Sequence, residues 1–516
     1  MSTRIALKAR FPVTSLFHSP LHRPFKPASS RFSTMARDYN EALSKLALLQ
    51  SNRIITSLFE APAKKASPQT AQDLNAAAIP EMVEWLRRAG YEQSDLARMR
   101  HIHVSGTKGK GSVCAYATAM LAKYRAVGTY TSPHLVHVRE RIAVNGEPVS
   151  REEFAAAFFE VWDRLTEAAI EGGMPEVDAQ GAASKPFYFR FLTIVAWHIF
   201  LQRGIRDVVI ECGIGGEYDS TNVLPKEAVS GAVVAQLGID HVAMLGDTVE
   251  KIAWHKAGIL KAGVKGFTMK LKDQPGVMEV LRGRAAEKGA VLVEVDDEDV
   301  ERWGGVEGNL KGDFQKRNQA LAVLAVREHL GLSGDGAPLD DIPREMLEGL
   351  REARLRGRCE VVDDGAAEWL LDGAHTKDSL EEVAKWAIQH TSGADEPLIL
   401  VFNQQERDIA QLLEGFVAAC RRGAGREDVF RHALFTRNDV TRPAEGEERD
   451  VLVQAQAAEK MRGLVPGCEV GVFDNTTDAV AEARRLAQGR DGEGKRRILV
   501  TGSLHLVGSI LQVLEP

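Results

Sequence analysis

The sequence predicts an α/β protein of two domains, and three observations carry the prediction. Its 516 residues exceed what a single hydrophobic core ordinarily supports. Short β-branched runs alternate with stretches of helical periodicity, and the alternation breaks and restarts near residue 352, so domains are expected at 38–352 and 353–516. The third observation is a glycine-rich turn, Gly106-Thr107-Lys108-Gly109-Lys110-Gly111-Ser112, between a strand-like Ile102-His103-Val104 and a helical Val113–Tyr124. Glycines there let backbone N–H groups approach a phosphate chain, the helix N-terminus adds positive potential, Lys110 supplies a point charge, and Ser112 can reach a magnesium ion. The spacing is irregular: Val104 stands where the first glycine of a phosphate loop belongs, and Gly111 separates Lys110 from Ser112. On this motif alone, a glycine-rich turn with a solvated lysine stays open.

Composition narrows the class. With 44% hydrophobic and 27% charged residues the chain is that of an ordinary globular enzyme. Five scattered cysteines without short paired spacing argue against a disulfide framework and a zinc site. The longest apolar run, Phe191–Leu201, is too short to cross a bilayer, so no membrane span is expected. Residues 1–37 carry Arg4, Lys8, Arg10, Arg23, Lys26, Arg31 and Arg37 with no Asp or Glu, the composition of a disordered mitochondrial-type import leader, or else of a basic tail. Initiation at Met35 would skip almost all of it, so mitochondrial and cytosolic products are both expected. Without those seven positive charges the net −7 becomes −14, which disfavours general nucleic-acid binding.

The elements follow in order. Helices are expected over Asp38–Asn52 and Ile79–Ala89, with the Pro-, Ala- and Lys-rich Ala61–Thr70 as a loop between them. After the glycine-rich turn comes a strand, Val127–Tyr130, ending in Thr131-Ser132-Pro133-His134, then helices over Arg151–Ala168 and Tyr188–Leu201. Asp207–Gly213 reads as a buried parallel strand that ends on Glu211 and opens into Gly213-Ile214-Gly215-Gly216. A carboxylate there has a cation partner or lies solvated just past the strand, because burial without a partner costs several kcal/mol. A strand at Ala232–Leu237 leads to Gly238-Ile239-Asp240-His241, and an N-capped helix starting at Asp247 leads to Lys256. Lys110, Ser112, Ser132, Glu211 and His241 are thus expected at one carboxyl edge of one sheet. The basic stretch Arg351–Arg358 marks the junction. Beyond it the alternation resumes with Glu368–Leu371 into Asp372-Gly373-Ala374-His375, Leu398–Phe402, Ala433–Phe435, a polar turn at Gly489–Lys495, and Ile498–Thr501 into Gly502-Ser503.

With these loops placed, the chain resembles the folylpolyglutamate synthases of the wider Mur-ligase-like family. The matching pieces are Gly106–Ser112, Thr131-Ser132-Pro133-His134-Leu135 with Arg139-Glu140-Arg141-Ile142, Glu211–Gly216, Leu237–His241, Lys256-Ala257-Gly258-Ile259, Leu371–Thr376 and Gly502-Ser503-Leu504, in the family's order. The resemblance implies a Mur-ligase-like phosphate-loop domain and a smaller Rossmann-like C-terminal domain. It implies ATP-driven ligation of glutamate to the γ-carboxylate of a folate, with folates, L-glutamate and ATP as small-molecule partners, and it suggests a monomer.

By the same resemblance, the phosphate-loop residues Gly106, Thr107, Lys108, Gly109, Lys110, Gly111 and Ser112 would hold the ATP phosphates. Ser132, Glu211 and His241 would bind two magnesium ions, a monovalent cation such as K+ would be allowed, and Lys256 would be carbamylated. Gln315 and Asn318 match a segment near the nucleotide base, Arg358 a linker arginine on the phosphates, and Asp372 a residue at the ribose. His375 and Ser503 would lie around nucleotide and incoming glutamate, and Thr131, Pro133 and His134 along the folate. Two departures stand out: Leu355-Arg356-Gly357 precede Arg358 where Trp-Pro-Gly is usual, and Phe314 replaces a frequent His before Gln315. The rivals are a dihydrofolate synthase, which adds the first glutamate to dihydropteroate, and a nucleotide-dependent switch without catalysis.

Overall fold

Runs such as Val208-Val209-Ile210, apolar on both faces, can only be satisfied inside a sheet covered on both sides, and that is where the structure puts them. The computed structural model describes residues 37–49, 68–333, 339–365, 367–391, 397–404, 409–488 and 496–515. The expected leader, Met35, most of the 61–70 loop and the 489–495 turn lie outside the described residues. Residues 38–516 make one compact unit that contains two sheets.

The first sheet comprises β1 (Arg100–Ser105), β2 (Val127–Tyr130), β3 (Ile142–Val144), β4 (Glu147–Pro148), β5 (Asp207–Glu211), β6 (Val229–Val234), β7 (Lys265–Met269) and β8 (Val291–Val295), in the order β4-β3-β2-β5-β1-β6-β7-β8. All neighbours are parallel except the β2-β3-β4 edge. The chain leaves β1 toward β2 on one side and continues from β6 toward β8 on the other, so the strand order reverses around β1. Ligands bind outside the carboxyl ends of an open parallel sheet at such a reversal. Register aligns Val104 with Glu211 and Ser105 with Val234, which brings the loops after β1, β5 and β6 to one edge.

The second sheet comprises β9 (Glu360–Asp363), β10 (Glu368–Leu371), β11 (Leu398–Phe402), β12 (Phe430–Thr436), β13 (Glu469–Phe473) and β14 (Arg497–Thr501), in the order β13-β12-β11-β14-β10-β9, with only β9 antiparallel. Each sheet is covered by apolar clusters on both faces.

Several expected elements shift. The first helix is Tyr39–Ala47, capped by the Asp38 carboxylate, and is shorter than Asp38–Asn52. The helix expected to begin at Ile79 starts at Pro68, a residue whose fixed φ suits a helix start, so Pro68–Thr70 is helix rather than loop. β6 occupies Val229–Val234 instead of Ala232–Leu237, because Ala235 to Gly238 turns back over the phosphate loop.

Side chains cross between the halves. Leu135 and Val136, from the loop after β2, pack into the apolar cluster of the second sheet, and so does Phe314. Leu355 packs the other way, into the cluster under the phosphate-loop helix Lys110–Leu121. Leu355 and Phe314, two of the residues that depart from the family pattern, are therefore apolar contacts across or beside the junction. The helix Arg344–Glu352, which delivers the chain to that junction, packs on Lys110–Leu121 through Gly349: a methyl group there would sit 2.7 Å from the Met120 amide nitrogen. Gly349→Ala is expected to cost about 1–3 kcal/mol by forcing these helices apart. Urea unfolding checks this, and an unchanged midpoint would remove the close approach as a constraint.

Candidate active site

The turn after β1 has the shape that its glycines allow. Gly106 (φ +144) and Gly109 (φ +81) occupy backbone conformations closed to other residues, and a methyl at Gly109 would collide with Asn318 Oδ1. The Thr107 and Lys108 amides donate to the Gln236 carbonyl at 2.8 and 3.1 Å, and Thr107 Oγ1 donates to Gly238 O at 3.0 Å. The loop after β6 thereby anchors the front of the phosphate loop. Behind it, Gln315 Nε2 donates to Ser112 Oγ at 3.3 Å, and Asn318 Nδ2 donates to Gln315 Oε1 at 3.0 Å. Gln315 and Asn318 thus brace the phosphate loop from the rear, and Gln315 lies outside the cleft that Asn318 lines.

Glu211, at the end of β5, is 3% exposed. Its Oε2 accepts the Ser132 amide at 3.0 Å, and its Oε1 lies 3.9 Å from Lys110 Nζ. Burial pushes this carboxyl above its ordinary range, opposed by Lys110, the Ser132 N–H, Arg358 and Arg141. Lys256 is buried beneath the same loop, donating from Nζ to the Gly106 carbonyl at 2.8 Å. Burial, with Lys110 as a second cause, brings its amine down to about 7.

Sequence reasoning missed what holds Glu211's loop. The buried Asp219 carboxylate accepts the Gly213 and Ile214 amides (2.9 and 3.1 Å) and the amide and hydroxyl of Thr221 (2.9 and 2.6 Å). The polar run Asp219-Ser220-Thr221-Asn222 just after a double glycine was the available signal. Glu140, noted only as part of a motif, folds the loop after β2: its carboxylate accepts the Leu135, Val136 and His137 amides at 2.9, 3.1 and 2.6 Å. In that loop the Thr131 amide is tied to Arg141 O, Ser132–Pro133 is a cis peptide, and His134 Nδ1 accepts from Arg141 Nε at 2.9 Å. Burial and the Arg141 charge hold His134 down at about 3, so the ring is neutral and able to accept.

From the second half, Asp372 follows β10, but both of its oxygens serve the backbone, accepting the Cys359 amide at 2.8 Å and the Ala374 amide at 2.9 Å. It therefore shapes the turn that carries Arg358. His375 Nδ1 donates to Gly373 O at 3.1 Å, and Ser503 Oγ accepts the His505 amide at the start of the helix Leu504–Leu514. Asp378, not foreseen, accepts from Lys108 Nζ at 3.1 Å across the cleft.

Apart from Gln315, every residue expected at the site lines one cleft of about 3220 Å³ between the two sheets. His241 lines it with its side chain 42% exposed, Nε2 3.9 Å from Asp240 Oδ2. Among the described residues no three His, Cys, Asp or Glu side chains converge as a cation cage. Glu211 and His241, expected to share the second ion, both line the cleft. The hard oxygen donors Glu211 and Ser132, side by side, do suit magnesium completed by phosphate oxygens.

A folylpolyglutamate synthase of Neurospora crassa is 38% identical over 508 residues, spanning 94% of this chain and 92% of that protein. The chain belongs to the folylpolyglutamate synthase family. A family profile described as the dihydrofolate synthetase C-terminal domain matches residues 358–513. Among solved structures, the Mycobacterium tuberculosis folylpolyglutamate synthase complexed with ADP superposes with a TM-score of 0.67 at 23% identity, covering 92% of this chain and 99% of that one. A structure titled as an FPGS–AMPPCP–folate complex gives 0.61 at 22% identity, with 93% and 100% covered. These structures establish the fold, two α/β halves each built on one sheet.

Asp219→Asn replaces one acceptor oxygen with an NH2 that faces N–H donors, and is expected to lower stability by about 1–3 kcal/mol. A urea midpoint equal to that of the parent chain would show that the loop after β5 is not held this way.

Proposed function

We propose that this chain ligates L-glutamate to the γ-carboxylate of folates and folate polyglutamates, driven by ATP, in the cleft between the two sheets. The observation that carries the reading is the buried Glu211 facing Lys110 at the carboxyl edge of β1 and β5, in a chain of this family. A carboxylate is a poor electrophile at neutral pH. Its oxygen must first displace ADP at the γ-phosphorus of ATP, giving an acyl phosphate. The glutamate amine then attacks the acyl carbon, inorganic phosphate leaves, and the nitrogen gives up its proton to form the amide.

In this reading the loop amides of Gly106–Ser112 and Lys110 cradle the phosphates, and Arg358 adds charge from the second half. Glu211 and Ser132 would hold magnesium, Glu211 and His241 a second ion, and such ions would supply charge to offset that of the phosphates. His375, whose Nδ1 donates to the Gly373 carbonyl, borders the part of the cleft where the incoming glutamate would lie. Thr131, Pro133 and His134 lie on the acceptor's path, and Ser503 borders the second half's share of the cleft. Enclosure between two sheets keeps water from the acyl phosphate. A monovalent cation, a monomeric state, and mitochondrial import from the basic leader with a cytosolic product from Met35 belong to the same reading.

Lys256 is the remaining cation, and an ammonium beside a magnesium site repels it. Attack of its neutral amine on CO2 forms an N–C bond, releases a proton, and leaves an N–H for the Gly106 carbonyl. Because burial holds the amine near 7, the neutral form grows as pH rises through 7 and is lost below it. At constant dissolved CO2, a 13C carbamate resonance is expected at pH 8, weakening toward pH 6 and absent in Lys256→Met. A signal that ignores this substitution would count against the assignment.

The family profile over 358–513 covers the half that serves nucleotide and glutamate, which the dihydrofolate synthase reading shares, so acceptor choice decides between the two. ADP release with tetrahydrofolate monoglutamate, and products carrying successive glutamates, is the expected result. Turnover confined to dihydropteroate would make the chain a dihydrofolate synthase, and ATP binding without acceptor-dependent turnover would favour a switch.

A further inference from the structure

Arg356 stands at the position in the junction where the family pattern has proline, and the structure shows what it does there. Its Nη1 and Nη2 form a two-pronged pair with the Glu515 carboxylate at 2.7 and 2.8 Å, and its Nε donates to Glu360 Oε1 at 2.8 Å. The second Glu360 oxygen accepts the amide of the next residue, Gly357, at 2.7 Å. Both carboxylates thus grip one dipeptide, from β9 on one side and from the end of the helix Leu504–Leu514 on the other.

Gly357 needs that grip. It sits at φ +68, where glycine is at ease but freest to leave, and its carbonyl accepts the Gly373 amide at 3.1 Å. It also touches Leu135: a methyl on Gly357 would lie 3.1 Å from the Leu135 side chain. The next residue is Arg358, whose charge bears on Glu211 in the first half and on Asp372 in the second. An isolated exposed ion pair contributes little, but a bidentate pair inside a three-group network, closing on a backbone amide, restricts geometry.

We infer that Arg356, clamped by Glu515 and Glu360, is a positioning residue that fixes the linker so that Arg358 is presented to the nucleotide phosphates. It does with charge what a rigid ring does with covalent geometry. The inference rests on the reading of Arg358 as a phosphate-binding cation.

Steady-state kinetics on the full chain separate the two ideas. Glu515→Gln and Arg356→Met are each expected to raise the KM for ATP roughly 5- to 10-fold while leaving the KM values for folate and glutamate and the melting temperature within error. The double variant should be no worse than either single one, and raising salt should weaken ATP binding more steeply in the parent chain than in the double variant, which has already lost the clamp. ATP kinetics unchanged in both single variants, additive losses, or equal losses for all three substrates with a lowered melting temperature would each overturn the positioning role. Arg358→Ala is the control for the reading beneath it. If that variant retains the parent KM for ATP, Arg358 does not serve the phosphates. If it loses ATP affinity while Glu515→Gln and Arg356→Met do not, the clamp alone fails.

Discussion

A carboxylate at the end of a buried strand is the constraint from which the rest of this structure follows. Glu211 is almost wholly removed from solvent where it lies, at the point where β5 pairs with Val104 of β1. The protein surrounds it with the Lys110 ammonium, the Ser132 amide, and the more distant charges of Arg358 and Arg141. Burial still outweighs these charges and holds the carboxyl above its ordinary range, a cost that a hard divalent cation beside it would offset in the proposed reading. The neighbouring loops are ordered by the same economy of buried polar groups: Asp219 satisfies the amides after β5, and Glu140 those after β2.

The second constraint is that the two sheets cooperate without sharing a strand. The loop after β2 serves the first half with Ser132 and, three residues later, packs Leu135 against the second. Phe314 begins the helix whose Gln315 and Asn318 brace the phosphate loop, yet its ring packs on the second half's core. These crossing contacts tie the glycine-rich turn after β1 to the placement of the second half, and with Lys108–Asp378 they make the cleft a joint property of both.

Much of this was legible because the carriers of chemistry lie at strand ends, where apolar runs give way to glycine and polar residues. Lys110, Ser132, Glu211, Asp372 and His375 were all placed from that pattern, Lys256 came from the end of a helix by resemblance, and the structure gathers them around one cleft. What escaped had weaker local signals. β7, β8, β9 and β13 are edge or near-edge strands; β8 and β13 are largely half-exposed, and Gly266 and Gly471 dilute their neighbours' β-branched pattern. The supporting carboxylates Asp219 and Glu140 look like ordinary loop acids until the amides they satisfy are known, and those partners are set by tertiary folding. Gln315 was placed near a base by the resemblance alone, and its bond to Ser112 was not legible because it depends on the packing of its helix on Lys110–Leu121.

The direct test is the magnesium dependence of ADP release by Glu211→Ala, with circular dichroism and thermal melting to confirm a retained fold. The account predicts loss of magnesium-dependent turnover by roughly 100-fold or more, because removing a site's charge-stabilising group costs about 3 kcal/mol or more of transition-state stabilisation. A folded Glu211→Ala chain with near-parental turnover and an unchanged magnesium requirement would remove Glu211 from the site and contradict the account.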